Sequence, residues 1–210
     1  VDTPDAPLAP DLAASSDTGV SDSDDITRNR SVTLTGLVAP GARVAVFDGA
    51  NRLGVATADA TGVWTFKTAS LADGVHSLTA KVLGLAGIDS AASEALRLTI
   101  DATAPARPAA PFLAEGYDNG ASSTDRITGY RMPILAGSGE TGTQVQVTID
   151  GTVAGTADVI DGVWSFQPDG PLATGAHVVW VQAFDRAGNI SAASAALTFQ
   201  VVDTPDAPLA

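Results

Sequence analysis

The pentapeptide Gly-Val-Trp-Thr-Phe at residues 62–66 returns as Gly-Val-Trp-Ser-Phe at residues 162–166, an offset of 162 − 62 = 100 positions. In both copies one residue separates the Trp from the Phe, so the two rings share one face of a β-strand. A turn signal, Thr61-Gly62 or Asp161-Gly162, precedes each copy. The stretch therefore indicates a short core strand, and its return indicates a duplicated domain.

Other residues repeat at an offset of 100 or 101 positions along both halves of the chain. Ile26-Thr27 matches Ile127-Thr128, and His76 matches His177. Because Ile100-Asp101 resembles the opening Val-Asp, we predict domain 1 at residues 1–101 and domain 2 at residues 102–202.

A longer repeat is visible at the ends of the chain. Residues 1–9 return unchanged as residues 202–210, a period of 202 − 1 = 201 residues. We therefore expect residues 203–210 to begin a further repeat, and neighbouring repeats of the same chain to be the partners of this one.

Apolar residues alternate with polar ones in short runs, such as the one ending in Leu78, Ala80 and Val82. Turn pairs such as Asp48-Gly49 and Asp150-Gly151 separate these runs. About seven short strands per hundred residues, with no sustained helical period, are typical of an immunoglobulin-like β-sandwich. We predict an all-β fold of two tandem immunoglobulin-like β-sandwich domains, joined end to end by a short linker.

The composition excludes several classes of function. The chain carries 24 acidic and 11 basic residues, for a net charge of −13, which argues against a nucleic-acid partner. It has no Cys, so disulfides, zinc-thiolate sites and thiol catalysis are excluded. The longest apolar runs are far shorter than the roughly 20 residues of a membrane span. No Ser/His/Asp arrangement can be identified, so we expect a monomeric, non-enzymatic segment without membrane insertion.

Two loops concentrate acidic residues. Residues 15–27 read SSDTGVSDSDDIT and residues 116–128 read GYDNGASSTDRIT. Two aspartates keep the same spacing in both copies, because 24 − 17 = 7 and 125 − 118 = 7. Closely spaced carboxylates repel one another unless a cation lies among them, and such hard oxygen ligands suit Ca²⁺. The alternative is a solvated turn whose Asp side chains cap the local backbone.

An EF-hand is not the explanation for the first loop. A loop beginning at Asp22 would place Ile26 where the third ligand is required and Thr27 where the sharp turn needs Gly. Instead, the topology of such a sandwich predicts that the first acidic loop lies beside Asp101, at the exit of the last strand. It also predicts that the loop from Asp185 to Asn189 of domain 2 points back toward Asp101.

Several motifs in fixed order resemble one family. They are Val-Asp-Thr and Ile-Asp-Ala at the junctions, Asp17-Thr18-Gly19 and Asp118-Asn119-Gly120 leading to Asp-x-Ile-Thr, Gly-Val-Trp near mid-domain, and residues 185–191, DRAGNIS. This set resembles the bacterial Ig-like repeat domains of giant surface adhesins, the type I-secreted proteins often called RTX or biofilm-associated adhesins. The resemblance implies an extracellular extender at the bacterial cell surface, in which Ca²⁺ rigidifies tandem domains that project a distal adhesive domain.

Topology and resemblance together predict three groups of Ca²⁺ ligands. The interdomain group comprises Asp17, Asp22, Asp24, Asp101, Asp185 and Asn189. The group at the junction to the next repeat comprises Asp118, Asp125 and Asp203. Asp2 and Asp89 form a weaker group at the junction to the previous repeat, because domain 1 lacks a counterpart of Asp185.

The two histidines occupy equivalent positions in the two halves. Counting by twos, His76 shares a face with Leu78, and His177 shares a face with Val179. Each follows a Gly by two residues at the start of a strand, where sandwich domains place a Tyr that hydrogen-bonds the preceding turn. We expect both to be structural corners and not metal ligands.

A rival function is a carbohydrate- or host-protein-binding Ig-like module. It requires a groove lined by aromatic side chains. The chain has three Trp, two Tyr and six Phe, and most of them are assignable to cores. A glycan array or pull-down discriminates the two functions, because a pure spacer should give no specific hit.

Overall fold

The computed structural model of the chain describes residues 3–84 and 87–203. It separates into two compact units, the first ending at Thr103 and the second beginning at Ala104. Among the described residues each unit has eight β-strands and no helix, so none of them offers a helix long and apolar enough to span a membrane. The predicted all-β fold of two immunoglobulin-like sandwiches is confirmed.

The first unit is built from two sheets. Its strands are β1 (Asp11–Leu12), β2 (Ile26–Thr27), β3 (Thr33–Leu37), β4 (Arg43–Asp48), β5 (Asn51–Thr57), β6 (Val63–Lys67), β7 (Gly74–Val82) and β8 (Leu96–Ile100). One sheet has the order β1-β3-β6 and the other β2-β8-β7-β4-β5. All neighbours are antiparallel except β2 and β8, which run parallel with Thr27 opposite Ile100.

The second unit repeats this plan. Its strands are β9 (Phe112–Leu113), β10 (Ile127–Thr128), β11 (Leu135–Ser138), β12 (Gln144–Ile149), β13 (Thr152–Asp158), β14 (Val163–Phe166), β15 (Gly175–Phe184) and β16 (Leu197–Val201). The sheets have the orders β9-β11-β14 and β10-β16-β15-β12-β13. Strands β10 and β16 are again the parallel pair.

Each unit has its own apolar core between its two sheets. Members of the first core include Leu34, Val44, Val46, Trp64, Leu78, Leu98 and Ile100. Members of the second include Leu135, Val145, Val147, Trp164, Val179, Val181 and Phe199. Because the buried residues lie at alternate positions along the strands, the period-two pattern of the sequence identifies the core faces.

A glycine lies in the strand opposite each core tryptophan, and the packing of the indole ring explains why. Gly36 pairs with Trp64 in register, and Gly137 pairs with Trp164. A Cβ atom would lie 2.8 Å from the ring of Trp64 at Gly36 and 2.5 Å from the ring of Trp164 at Gly137. Glycine therefore lets the indole lie against the backbone of the next strand.

Leu37 does not belong to the inner row with which the sequence pattern grouped it. It is 58% exposed at the end of β3. Leu34 and Gly36 occupy the inner face of this strand, and the alternation of side chains turns Leu37 outward.

Two matched substitutions test whether the cores are separate. Leu34→Ala should destabilise the first unit by about 2 to 5 kcal/mol, because Leu34 is completely buried and its truncation leaves a cavity. Leu135→Ala, at the equivalent buried position, should do the same to the second unit. Calorimetry should show each substitution lowering one unfolding transition only, and equal lowering of both by either substitution would contradict separate cores.

Candidate metal site

The first acidic loop, residues 15–27, carries the chain from one sheet of the first unit to the other. It begins after β1 in the three-stranded sheet and ends in β2 of the five-stranded sheet. The backbone of Asp25 joins the ladder between β2 and β8, because its carbonyl accepts the N–H of Thr99 at 2.8 Å. The loop is therefore fixed at both ends by sheet hydrogen bonds.

A buried hydroxyl closes this loop. Thr27 is completely buried, and its Oγ1 donates to the carbonyl of Ser16 at 2.6 Å. The same Oγ1 accepts the N–H of Asn29 at 3.1 Å, and the hydroxyl of Thr18 lies 3.0 Å away. Thr27 thereby holds Ser16 and Thr18 in place, and with them the intervening Asp17.

Asp17 is the most constrained carboxylate of the first loop. It is only 8% exposed, and its Oδ2 accepts the N–H of Asp25 at 3.2 Å. Its Oδ1 is buried and has no hydrogen-bond partner among the described residues. Burial raises the pKa of Asp17, and the charges of Asp24 and Asp22 raise it further against the opposing backbone hydrogen bonds. A buried oxygen of this kind is a ready ligand for a cation.

Asp25 belongs to the acidic cluster of the first loop, although the predicted ligand set omits this residue. Its backbone adopts a positive φ of 57°. Burial raises the pKa of its carboxyl, and the charges of Asp17, Asp11 and Asp24 add to the effect. Asp25 stands within the acidic loop of the sequence, but the approach of Asp11 from β1 has no signal in residue spacing, so only the fold identifies Asp11 as a neighbour of Asp25.

The remaining predicted ligands of the first loop differ in exposure. Asp24 is half-buried, and its Oδ1 accepts the N–H of Ile26 at 3.2 Å. Asp22 is exposed. The structure thus presents Asp17 at the base of the loop and Asp22 at its surface.

The second acidic loop, residues 116–128, holds a pair of carboxylates where the first loop holds a larger cluster. Asp118 Oδ2 accepts the N–H of Arg126 at 3.1 Å, whereas its Oδ1 is buried without a hydrogen-bond partner in the described part of the chain. Burial and the adjacent Asp125 carboxylate raise the pKa of Asp118. Although burial opposes it, the N–H groups of Ser122 and Ile127 and the hydrogen bond with Asp118 lower the pKa of Asp125.

A glycine permits this approach of two carboxylates. A Cβ atom at Gly120 would lie 2.8 Å from Oδ1 of Asp125. Any other residue at position 120 would therefore displace Asp125 from Asp118.

The other predicted ligands lie at the ends of strands and in loops. Asp101 follows β8, where its N–H donates to the carbonyl of Thr27 at 2.9 Å and its Oδ1 accepts the N–H of Thr103 at 3.0 Å. Asp89 is exposed and accepts the N–H of Gly84 at 3.3 Å. Asp203 is exposed, while Asp2 lies outside the described residues, as do residues 204–210.

Asp185 and Asn189 are hydrogen-bonded to each other. The two oxygens of Asp185 accept the backbone N–H and the side-chain N–H of Asn189, each at 2.9 Å. The N–H of Asp185 donates to the carbonyl of Asn189 at 3.2 Å. These hydrogen bonds close the loop after β15, and they engage both carboxylate oxygens within the loop.

The donor chemistry of the acidic loops fits a hard cation, but the carboxylates do not form a complete shell. No group of three or more Asp, Glu or His side chains among residues 3–84 and 87–203 is arranged to hold a metal ion. A cation at Asp17 or Asp118 would therefore complete its shell with backbone carbonyls, hydroxyls or water, as Ca²⁺ commonly does.

Comparison with known proteins supports the reading of the fold. The family model described as "Bacterial Ig-like domain" matches residues 3–102 and again residues 105–204. No protein with a curated description is similar enough in sequence to count as a match.

Three solved structures illustrate the structural similarity. The fibronectin(III)-like modules of Clostridium thermocellum CbhA are 16% identical with a TM-score of 0.53, over 91% of this chain and 93% of theirs. A tetra-tandem repeat in the extending region of a large adhesion protein is 24% identical with a TM-score of 0.36, over 86% of this chain and 47% of that one. The BSP domain of a biofilm-associated protein is 19% identical with a TM-score of 0.32, over 94% of this chain and 30% of that one.

The raised pKa of Asp17 gives a test of its burial in the absence of calcium. A carboxyl whose pKa is higher in the folded than in the unfolded protein stabilises the fold below its ordinary pKa of 3.8, and this stabilisation is lost as the pH rises. In chelator, Asp17→Asn should therefore gain stability relative to the wild type as the pH rises from below 3.8 through the folded-state pKa of Asp17. Urea unfolding at a series of pH values measures this difference.

The second unit supplies the matched control. Asp118→Asn should produce the same trend in the second unit and leave the first unit unchanged, because the pKa of Asp118 is also raised by burial. A stability difference between Asp17→Asn and wild type that does not vary with pH would contradict the account of Asp17.

Proposed function

This chain belongs to the family of bacterial Ig-like domains, of which it contains two tandem copies, and we propose that it is an extender segment of a bacterial surface adhesin. The observation that carries the proposal is that each copy is a complete sandwich with its own core. Repeats of this kind add length to a chain without depending on one another for folding. The proposed role is mechanical and non-enzymatic, and it places the segment outside the cell, with type I secretion as its route.

We further propose that the acidic loops bind Ca²⁺ in the extracellular medium. Asp17 would hold the cation through its unpartnered Oδ1 in the first unit, and Asp118 would do so in the second. Bound Ca²⁺ supplies positive charge that offsets the repulsion among neighbouring carboxylates. The contribution of Asp101, Asp185 and Asn189 to a cation shared between domains stays a prediction.

Calcium should stabilise each unit through its acidic loop. Extracellular sites bind Ca²⁺ with a Kd of about 10⁻⁴ to 10⁻³ M. At about 10 mM calcium, binding to the folded state alone would then add roughly 1.4 to 2.7 kcal/mol to the stability of a unit. Asp17→Asn should abolish this gain in the first unit, and calorimetry with calcium and with chelator measures it.

Two controls make this result specific. Glu94→Gln removes a carboxylate from an exposed position of the same unit that belongs to no predicted ligand group, and it should leave the calcium-dependent gain intact. Asp118→Asn should abolish the gain of the second unit only. If Asp17→Asn retained the full gain of the first unit, Asp17 would not be a ligand.

The stiffening role has a separate readout. Small-angle scattering of the whole chain should give a longer maximum dimension and a narrower distance distribution in calcium than in chelator, because an array with fewer accessible conformations is more extended on average. Identical scattering curves in the two conditions would rule out calcium-dependent stiffening, even if calcium bound to each unit.

A further inference from the structure

Each unit holds its one histidine between two oxygen atoms. In the first unit, His76 Nδ1 lies 2.7 Å from Oδ2 of Asp48, and His76 Nε2 lies 2.9 Å from the carbonyl of Ala72. In the second, His177 Nδ1 lies 2.6 Å from Oδ2 of Asp150, and His177 Nε2 lies 2.8 Å from the carbonyl of Ala173. The expected hydrogen bond to the preceding turn is therefore present in both units, and a carboxylate contact accompanies it.

The two contacts determine how many protons each site holds. A carbonyl oxygen only accepts, so the Nε2 atom facing it must carry a proton. The contact between Nδ1 and the carboxylate needs a second proton, which lies between these two groups. A neutral ring beside an ionised carboxylate has one proton too few and would leave two acceptors facing each other. The structure thus favours an imidazolium paired with a carboxylate.

The two units build this contact from residues at different places in their hairpins. Asp48 is the last residue of β4, whereas Asp150 is the first residue after β12. Despite this shift, the second oxygen of each carboxylate accepts the N–H of the residue after the histidine, Ser77 at 3.1 Å and Val178 at 2.8 Å. The two carboxylates thus reach the same geometry from two different hairpin positions. This indicates that the contact with the histidine is important in itself, and not only the sequence of the hairpin.

Among the contacts that the structure describes, no charged side chain other than the hairpin carboxylate touches either histidine ring. In the first unit β8 presents Leu98 opposite His76, and Asp73 in the preceding loop pairs with Arg30 at 3.0 Å. In the second unit β16 presents Phe199, whose ring lies 5.5 Å from that of His177. The hairpin carboxylate is therefore the charged group that contacts each ring.

We propose that these two contacts are acid-strengthened latches, in which a protonated histidine fastens the hairpin after β4 or β12 to the loop before β7 or β15. Each latch joins two segments that are adjacent in the sheet but distant in sequence. A unit whose latch is protonated resists opening of this end of its five-stranded sheet. The segment is then more resistant to unfolding in a mildly acidic medium than in an alkaline one.

The pH range follows from the direction of two pKa shifts. Burial acts to lower the pKa of His76, but the Ala72 carbonyl and the Asp48 carboxylate outweigh it, so the pKa is raised above 6.5. This contribution to stability is complete below pH 6.5 and is lost as the pH rises through the folded-state pKa. Burial acts to raise the pKa of Asp150, but the N–H of Val178 and His177 lower it below 3.8. That contribution is present above pH 3.8 and is lost as the pH falls through the folded-state pKa.

Nuclear magnetic resonance of the whole chain labelled with ¹⁵N-histidine tests the latch directly. The chain has two histidines, so His177→Gln leaves the ring of His76 as the only signal. At pH 6.5 the His76 ring should be protonated at both nitrogens in most molecules, and it should titrate above the ordinary value of 6.5. A ring that is mostly a neutral tautomer at pH 6.5 would overturn the proposal.

A matched pair of substitutions isolates the carboxylate. Asp48→Asn should weaken proton binding by His76 about tenfold or more while leaving the His177 signal unchanged, because it removes the opposite charge and keeps the size of the side chain. Asp150→Asn should alter the His177 signal only. An unchanged His76 titration in Asp48→Asn would show that Asp48 does not hold the proton in place. If Asp48→Asn does not fold, the titration of the His76 ring with Asp48 intact still tests the proposal.

Stability measurements connect protonation to the fold. The stability difference between the wild type and His76→Gln should be larger at pH 5.5 than at pH 8.5 when both are unfolded in urea at the same calcium concentration. Because both chains contain the same acidic loops, their pH dependence cancels in this difference. A difference that is equal at the two pH values, or larger at pH 8.5, would refute an acid-strengthened latch.

Discussion

The crossing of the chain between its two sheets is the constraint on which each acidic loop depends. In the first unit β1 lies in the three-stranded sheet, and β2 runs parallel to β8 in the other. The loop between them is tied down at Thr27, whose buried hydroxyl holds Ser16. Asp17 therefore cannot swing into water as an Asp in a free turn does, and its Oδ1 stays buried without a partner in the described structure.

The two units use the same crossing to arrange charge in different ways. The first gathers Asp17, Asp24 and Asp25, whose mutual repulsion raises the pKa of Asp17 and Asp25 beyond the effect of burial. The second brings one pair together, in which the carboxylate of Asp125 raises the pKa of Asp118. One pair of carboxylates has fewer mutual repulsions than the larger cluster of the first loop. The two loops thus occupy equivalent positions but differ in the number of carboxylates that repel one another.

Two kinds of electrostatic contact accordingly serve different purposes in this fold. The proposed histidine latches would pair a cation and an anion inside each unit, so their charges would be balanced by the chain itself. The acidic loops carry more acidic than basic residues. In the proposals made above, the first kind responds to protons and the second to Ca²⁺.

The sequence alone determined the duplication, the all-β fold, the core faces and the turn bonding of His76 and His177, because alternation and the aromatic and glycine positions repeat at a fixed offset in both halves. It also located Asp17 and Asp118 within acidic loops. Only the tertiary structure decided that these two carboxylates are buried and lack one partner, that Asp11 approaches Asp25, and that Asp48 and Asp150 meet the histidines. Spacing along the chain specifies which face of a strand a residue occupies. The meeting of residues from different strands depends on sheet order and register, which no local pattern contains.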